Sequence, residues 1–95
     1  MSVRYTARAL GQLAEIFDHI AQDNPRAAHA VQMRIKLSIE RLEDFPFAGR
    51  ITDRPGVRVL TVVRYPYRIF YRTYGAGEVL ILRILHAARD SSRDA

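Results

Sequence analysis

The second half of the chain alternates apolar and polar positions in a way that predicts β-strands. The three runs, divided by Tyr65-Pro66 and by Gly75-Ala76-Gly77, are Val57–Arg64, Tyr67–Tyr74 and Val79–His86. Valine, isoleucine, tyrosine and phenylalanine fit a pleated, half-buried surface, and glycine and proline mark strand ends. The third run is apolar on both alternating faces apart from Arg83 and His86. We therefore predict that it is central in its sheet and covered on at least one side.

The turn between the first two runs sets which side chains share a face. A two-residue turn at Tyr65-Pro66 would pair Arg64 with Tyr67. One face would then carry Arg68, Phe70 and Arg72 with Val59, Thr61 and Val63. The opposite face would carry Arg58, Leu60, Val62, Ile69 and Tyr71. A slip of one residue would reverse this assignment.

The first half predicts a short strand and a first helix. Val3-Arg4-Tyr5 is typical of a strand, and Thr6 is an acceptable N-cap for a helix that ends near Asp23. Apolar residues then recur at spacings of three and four, which gives the helix one apolar stripe. The stripe consists of Leu10, Leu13, Ile16, Phe17 and Ile20.

A second helix follows almost at once. Asn24 suits the N-cap and Pro25 the first helical position, so the helix is predicted to run from Pro25 to Glu43 or Asp44. Its stripe is Ala28, Val31, Ile35, Ile39 and Leu42, continued by Phe45. So short a joint predicts an antiparallel helical hairpin. Met33 and Leu37 lie off the stripe, either as peripheral core or as part of a groove that a partner covers.

The order strand, helix, helix, three strands indicates an α+β, two-layer fold with the helical hairpin on one face of the sheet. The other face is expected to be open. Residues 1–95 are interpreted as one domain with a short polar tail at 87–95. With no cysteine, no signal peptide and no apolar run of about 20 residues, a cytoplasmic protein without membrane contact is expected.

The charge is distributed unevenly. Residues 1–48 hold six basic and six acidic residues, whereas residues 49–95 hold nine arginines against four acids, which accounts for the net charge of +5. Because a guanidinium fork matches carboxylates and phosphates, this pattern favours a surface that binds an acidic protein or nucleic acid. A solubilising face is the alternative.

Few residues offer catalytic chemistry. The histidines fall in different elements without cysteines or acids at ligand spacing, so we expect no metal site and no cofactor. His86 closes an apolar strand, as a structural histidine or as a proton-transfer or target contact. A metal-independent nuclease would need a base, an acid and cations on the phosphate, and Arg68, Arg83 and His86 are the candidates.

An ordered set of residues resembles a known family. In the first half it comprises Ala9, Leu13, Ile16, Asn24-Pro25, Ala27-Ala28, Leu42, Phe45-Pro46 and Gly49-Arg50. In the second half it comprises Val57-Arg58, Leu60, Tyr65-Pro66-Tyr67-Arg68-Ile69, Tyr71 and Ile81–Asp90. Over residues 3–90 the chain resembles the RelE/ParE toxins of type II toxin–antitoxin systems, the ParE branch in particular. That resemblance implies a β-α-α-β-β-β fold with a mainly antiparallel sheet.

The two branches of that family imply different mechanisms. RelE-like toxins cut ribosome-bound mRNA without a metal, whereas ParE-like toxins inhibit DNA gyrase. The RelE strand that carries lysines corresponds to Val57–Val63, where Val59 and Thr61 stand, although Arg68 matches the phosphate-contacting arginine. The C-terminal catalytic tyrosine has no counterpart, because no tyrosine follows Tyr74. The resemblance therefore favours a gyrase inhibitor that causes growth arrest and plasmid stabilisation, with the ribosome-dependent endonuclease as the alternative.

The same resemblance implies a hetero-oligomer with a ParD-like antitoxin and no sequence-specific DNA binding by the toxin itself. We expect an acidic segment of the antitoxin to cover the arginine-rich sheet and part of the helical hairpin. The predicted antitoxin or target contacts are Arg50, Arg58, Arg68, Arg83, Met33 and Leu37. Some of these arginines could instead be structural, bridging loop carbonyls or acids.

Overall fold

The computed structural model describes residues 3–87 as two helices packed on one face of a five-stranded sheet. The elements are β1 (Val3–Tyr5), α1 (Ala7–Asp23), α2 (Pro25–Asp44), β2 (Arg50–Ile51), β3 (Val57–Thr61), β4 (Tyr67–Tyr74) and β5 (Glu78–His86). The strand order is β1-β5-β4-β3-β2, with β1 parallel to β5 and the other neighbours antiparallel. The α+β prediction is confirmed. The two-residue β2 lies between α2 and β3, where no strand was predicted, and residues 88–95 of the predicted tail lie outside the described residues.

Both helices begin at the predicted caps. The Ala9 N–H donates to Thr6 Oγ1, and the Ala27 N–H donates to Asn24 Oδ1, each at 3.0 Å. Pro25 occupies the start of α2, where its missing N–H costs nothing. The caps leave Asn24 as the joint between the helices, which makes the predicted antiparallel hairpin.

The main core lies between the helices and the sheet. Its buried members come from both helices, from β4 and β5, and from the residue that follows β3 by one position: Ala9, Val31, Ile35, Ile39, Leu42, Val62, Tyr67, Ile69, Tyr71, Val79, Ile81 and Ile84. Leu13, Ile16 and Ile20 pack against it from α1. The α2 stripe is confirmed from Ala28 to Leu42, since all five of its helical members are buried.

Two predicted core positions are wrong. Leu10 is 52% exposed, and Ala9 takes the core position beside it with no exposure. Successive residues lie about 100° apart around a helix, so burying Ala9 rotates Leu10 toward solvent. Phe45 is 63% exposed because it is the C-cap of α2, where a ψ of 70° redirects the chain away from the helical stripe.

The hairpin between β3 and β4 shows the predicted faces with a different register. Arg68 pairs with Thr61 rather than with Val63, a shift of two residues, and shifts by an even number keep every side chain on its face. A two-residue hairpin turn needs a positive φ at its first or at both central residues, which suits neither a tyrosine at the first position nor a proline at the second. The chain instead uses a longer loop, in which Arg64 has a φ of 77°.

Strand β5 lies between β1 and β4, as predicted for an interior strand. Its register against β4 shifts in the middle: Phe70 pairs with Arg83 while Tyr71 pairs with Ile81. Leu82 is the extra residue of this bulge. As a result Leu82 and Arg83, although adjacent, both lie against Phe70 on the side of the sheet away from the helices.

Candidate functional site: an arginine-lined sheet face

The sheet face opposite the helices, called the open face below, has a small apolar floor. Val57, Val59 and Phe70 are buried there, and Leu82 and Leu85 pack against them. Phe70 keeps only 2% of its surface exposed, although both helices of residues 3–87 pack on the other side of the sheet. Neighbouring side chains shield it, among them Arg83, whose guanidinium carbon lies 5.4 Å from the ring centroid, within the range of a cation–π contact.

Arginines rise around this floor from several strands. Arg50 pairs with Val59 across β2 and β3, and Arg68 pairs with Thr61 across β3 and β4. Both line a cleft of about 250 Å³ that also contains Asp53 and reaches Val59 and Phe70. We call it the Arg68 cleft. It holds two of the predicted contact residues together.

A second cleft on the open face holds more charge. Its volume is about 280 Å³, and its walls carry four arginines, Arg8, Arg54, Arg72 and Arg83. Thr6 and the floor residues Val57, Phe70 and Leu82 complete its lining. We call it the four-arginine cleft. Of its arginines only Arg83 was predicted as a site residue.

Arg58 has a different environment from the other predicted arginines. Its guanidinium donates to the carbonyl of Gly49 at 2.9 Å and to that of Phe47 at 3.4 Å, and it lies 5.1 Å from the Phe47 ring centroid. It pairs with Tyr71, so it lies on the helix side of the sheet. These contacts hold the loop before β2 against the sheet, and they position Arg50 at the edge of the open face.

Tyr71 fixes the same loop from inside the core. The Gly49 N–H donates to Tyr71 Oη at 2.8 Å, and the tyrosine side chain is fully buried. Burial raises the pKa of Tyr71 above its ordinary value of 10.0, against the lowering effects of the Gly49 hydrogen bond and the nearby Arg58 charge. The neutral phenol is therefore the form that the folded protein favours.

His86 lies away from the predicted arginines, on the helix side. It pairs with Tyr67 across β4 and β5 and contacts that ring edge-on, with centroids 5.2 Å apart. A cleft of about 180 Å³ brings His86 together with Glu15 and His19. No arginine or lysine of residues 3–87 lines it. We call it the histidine cleft.

The three residues that would form a nuclease centre are thus distributed over three clefts. Arg68 and Arg83 share the open face but line different clefts, and His86 lies across the sheet from both. The predicted apolar contacts are on α2, where Met33 is 42% and Leu37 is 47% exposed, one helical turn apart. Within residues 3–87, no group of three or more histidine, aspartate or glutamate side chains could hold a metal ion.

Sequence reasoning missed three arginines of the four-arginine cleft. Arg72 had a usable signal, because strand alternation already placed it on the face of Arg68. Arg54 lies in the loop before the Pro55-Gly56 turn, and Arg8 lies in the first turn of α1. Their convergence depends on how α1 and that loop approach the sheet, which no local pattern encodes.

In the described part of the chain, neither helix is both long and apolar enough for a membrane span.

Comparison with known proteins gives a consistent assignment. Residues 3–91 match the family described as "ParE toxin of type II toxin-antitoxin system, parDE". Toxin RelE2 of Caulobacter vibrioides is 41% identical over 87 residues, which cover 92% of this chain and 96% of that protein. Among solved structures, the chromosomal ParDE system from P. aeruginosa aligns with a TM-score of 0.79 at 34% identity, covering 90% of this chain and 95% of that one.

A further solved structure, the toxin–antitoxin complex RelBE2 from Mycobacterium tuberculosis, aligns with a TM-score of 0.61 at 27% identity, covering 90% of this chain and 95% of that one. The helical hairpin on one sheet face is therefore the architecture of a class of small toxins. This chain belongs to the ParE toxin family of type II toxin–antitoxin systems.

Proposed function

We propose that this toxin inhibits DNA gyrase by binding it and is neutralised in the cytoplasm by a ParD-like antitoxin. The observation that carries the proposal is the separation of side chains on the sheet. The open face collects guanidinium groups around a covered apolar floor, while His86 lies on the opposite side. Such a face has the means to hold an acidic macromolecule, but its cations and the histidine cannot meet at one phosphate.

The composition of the open face supports binding to a protein. Arginine is enriched at the energetic centres of protein interfaces, where it combines a charged fork with a flat apolar surface. The Arg83–Phe70 contact shows that combination, since the aromatic ring supports the guanidinium from below. The ring is too covered to stack with a base, which is how proteins commonly bind single-stranded RNA.

A ribosome-dependent mRNA endonuclease is the second candidate, and the histidine cleft favours it. His19, His86 and Glu15 could move protons there, and Tyr67 lines the same cleft. The C. vibrioides relative is also named after RelE, as Toxin RelE2. A nuclease also needs cations to stabilise the charge that develops on a scissile phosphate, and among residues 3–87 no arginine or lysine lines this cleft.

A supercoiling assay tests the proposal. Purified toxin is added to gyrase, relaxed plasmid and ATP, and the proposal expects blocked supercoiling or accumulation of cleaved plasmid. In parallel, the same toxin is added to ribosomes translating a defined mRNA, whose ends are mapped. Gyrase that remains fully active at micromolar toxin, together with codon-positioned mRNA cuts, would replace the proposal with the endonuclease.

The antitoxin is proposed to contact both the open face and α2. Arg50, Arg68 and Arg83 would meet its acidic residues, while Met33 and Leu37 offer exposed apolar surface on the helical side. Because charge steers association, the association rate should fall as salt rises, with a smaller change in the dissociation rate. A rate that is unchanged by salt would argue against an electrostatic contribution. Arg58 contributes less in this scheme, because loop carbonyls already occupy its guanidinium.

A further inference from the structure

The four-arginine cleft concentrates charge from four separate parts of the fold. Arg8 comes from α1, Arg54 from the loop before β3, Arg72 from β4 and Arg83 from β5. The Arg72 guanidinium lies beside Gly56, at 3.5 Å from the position that a side-chain Cβ would take there. The cleft is therefore assembled by tertiary structure, and its charges are not a by-product of one strand's alternation.

No carboxylate from residues 3–87 lines the four-arginine cleft. The neighbouring Arg68 cleft, in contrast, includes Asp53. Four like charges around one hollow raise the local potential and attract anions. Arginine forks bind carboxylate and phosphate equally well in geometric terms, so the charge by itself leaves two ligand classes.

The floor of the cleft distinguishes between these two classes. It is formed by the aliphatic side chains of Val57 and Leu82 and by Phe70, whose ring is 2% exposed and covered by Arg83. A nucleic acid would find no exposed ring on which to stack a base. Leu82, in contrast, keeps part of its side chain exposed in this cleft, so an aliphatic side chain of a peptide can pack against it while flanking carboxylates reach the guanidinium groups.

We propose that the four-arginine cleft binds an acidic peptide segment in which carboxylates flank an aliphatic residue. Arg8, Arg54 and Arg72 become partner-binding residues, in addition to those already considered. That this segment belongs to the antitoxin rests on the proposed function. The chemistry of the cleft nevertheless defines the ligand independently of which cellular process the toxin inhibits.

The test uses the full chain and a defined probe, the fluorescein-labelled peptide Glu-Glu-Leu-Glu-Glu, followed by fluorescence anisotropy at low salt. A Gln-Gln-Leu-Gln-Gln peptide and a single-stranded RNA of equal charge serve as competing probes. We expect the acidic peptide to bind tightest. Arg8→Gln and Arg54→Gln should each weaken it about fivefold, the upper range for a partly exposed ion pair.

Arg26→Gln is the matched control, because it removes the same charge from the start of α2. Arg26 lies next to the C-terminal end of α1, and the helix spans about 22 Å from Arg8 in the cleft to Asp23 at that end, at 1.5 Å per residue. The affinity of the Arg26→Gln variant for the acidic peptide should stay close to that of the unmodified toxin. Far-ultraviolet circular dichroism of every variant establishes that the fold is retained.

Two results would overturn the inference: equal peptide affinity in Arg8→Gln, Arg54→Gln and Arg26→Gln, or tighter, Arg8- and Arg54-dependent binding of the RNA. The gyrase assay on the same preparations keeps the two proposals apart. Gyrase inhibition without cleft-dependent peptide binding removes the inference and leaves the proposed function. Peptide binding without gyrase inhibition retains the inference and removes the proposed target.

Discussion

Replacing Gly49 by alanine should strongly destabilise the protein, because the structure leaves no space for a side chain at that position. An added Cβ would lie 2.7 Å from both Cε1 and Oη of Tyr71 and 2.8 Å from the Val59 carbonyl oxygen. The tyrosine is fully buried in the main core, and the carbonyl belongs to strand β3. Neither can move away without disturbing the sheet or the core.

The magnitude follows from two contributions. Forcing an extra carbon into a packed site costs about 1–3 kcal/mol. If the loop moves outward instead, the Gly49 N–H loses its bond to Tyr71 Oη, and leaving such a group unsatisfied costs about 1–3 kcal/mol. Whichever way the loop responds, we therefore expect a loss of about 1–3 kcal/mol, a substantial part of the 5–15 kcal/mol typical of a small domain.

Gly11→Ala provides a control of opposite sign. An added Cβ at Gly11 meets no atom within 4 Å, and the residue is exposed within α1. Alanine there should stabilise the helix by about 1 kcal/mol. Urea denaturation followed by circular dichroism measures both variants. A Gly49→Ala midpoint equal to that of the unmodified protein would refute the packing argument for this loop.

Further predictions concern the core tyrosine, a helix cap and the exposed residues of α2. Because burial raises the pKa of Tyr71, the unfolded chain loses its phenolic proton at lower pH than the folded chain, so the free energy of unfolding should fall as pH rises above about 10. In Tyr71→Phe this free energy should depend less on alkaline pH, but at neutral pH it should be about 1–3 kcal/mol lower because the Gly49 N–H is left unsatisfied. Denaturation at several pH values measures both effects. Asn24→Ala should cost about 1 kcal/mol by removing the cap of α2, with Asn24→Asp retaining most of it, as chemical denaturation will show. Met33→Ser combined with Leu37→Ser should leave stability nearly unchanged and weaken antitoxin binding measured by calorimetry; unchanged affinity would exclude this surface from the complex.

The sequence was sufficient to predict the elements whose signals are local. Helix starts at Thr6 and Asn24 depend on side-chain oxygens next to free backbone N–H groups, and the sheet faces depend on strict alternation. The hairpin register differed because the turn needed a positive φ, which the chain places at Arg64 rather than at Tyr65-Pro66.

Features that depend on distant contacts were not predictable in this way. The bulge at Leu82 results from how β4 and β5 pair, and it puts Arg83 over Phe70. Arg8 and Arg54 reach one cleft only after α1 and a loop have packed near the sheet. His86, in turn, was grouped with Arg68 by chemistry, whereas the fold places them on opposite sides.

Gyrase inhibition by variants of the open face shows whether its guanidinium groups bind the target. The double variant Arg50→Gln and Arg68→Gln removes two charges from this face, and the double variant Arg26→Gln and Arg34→Gln removes two from α2. We expect the first double variant to lose inhibitory potency by about tenfold or more, while the second inhibits like the unmodified toxin. Equal potency of the two variants would contradict a guanidinium-lined sheet face as the binding surface.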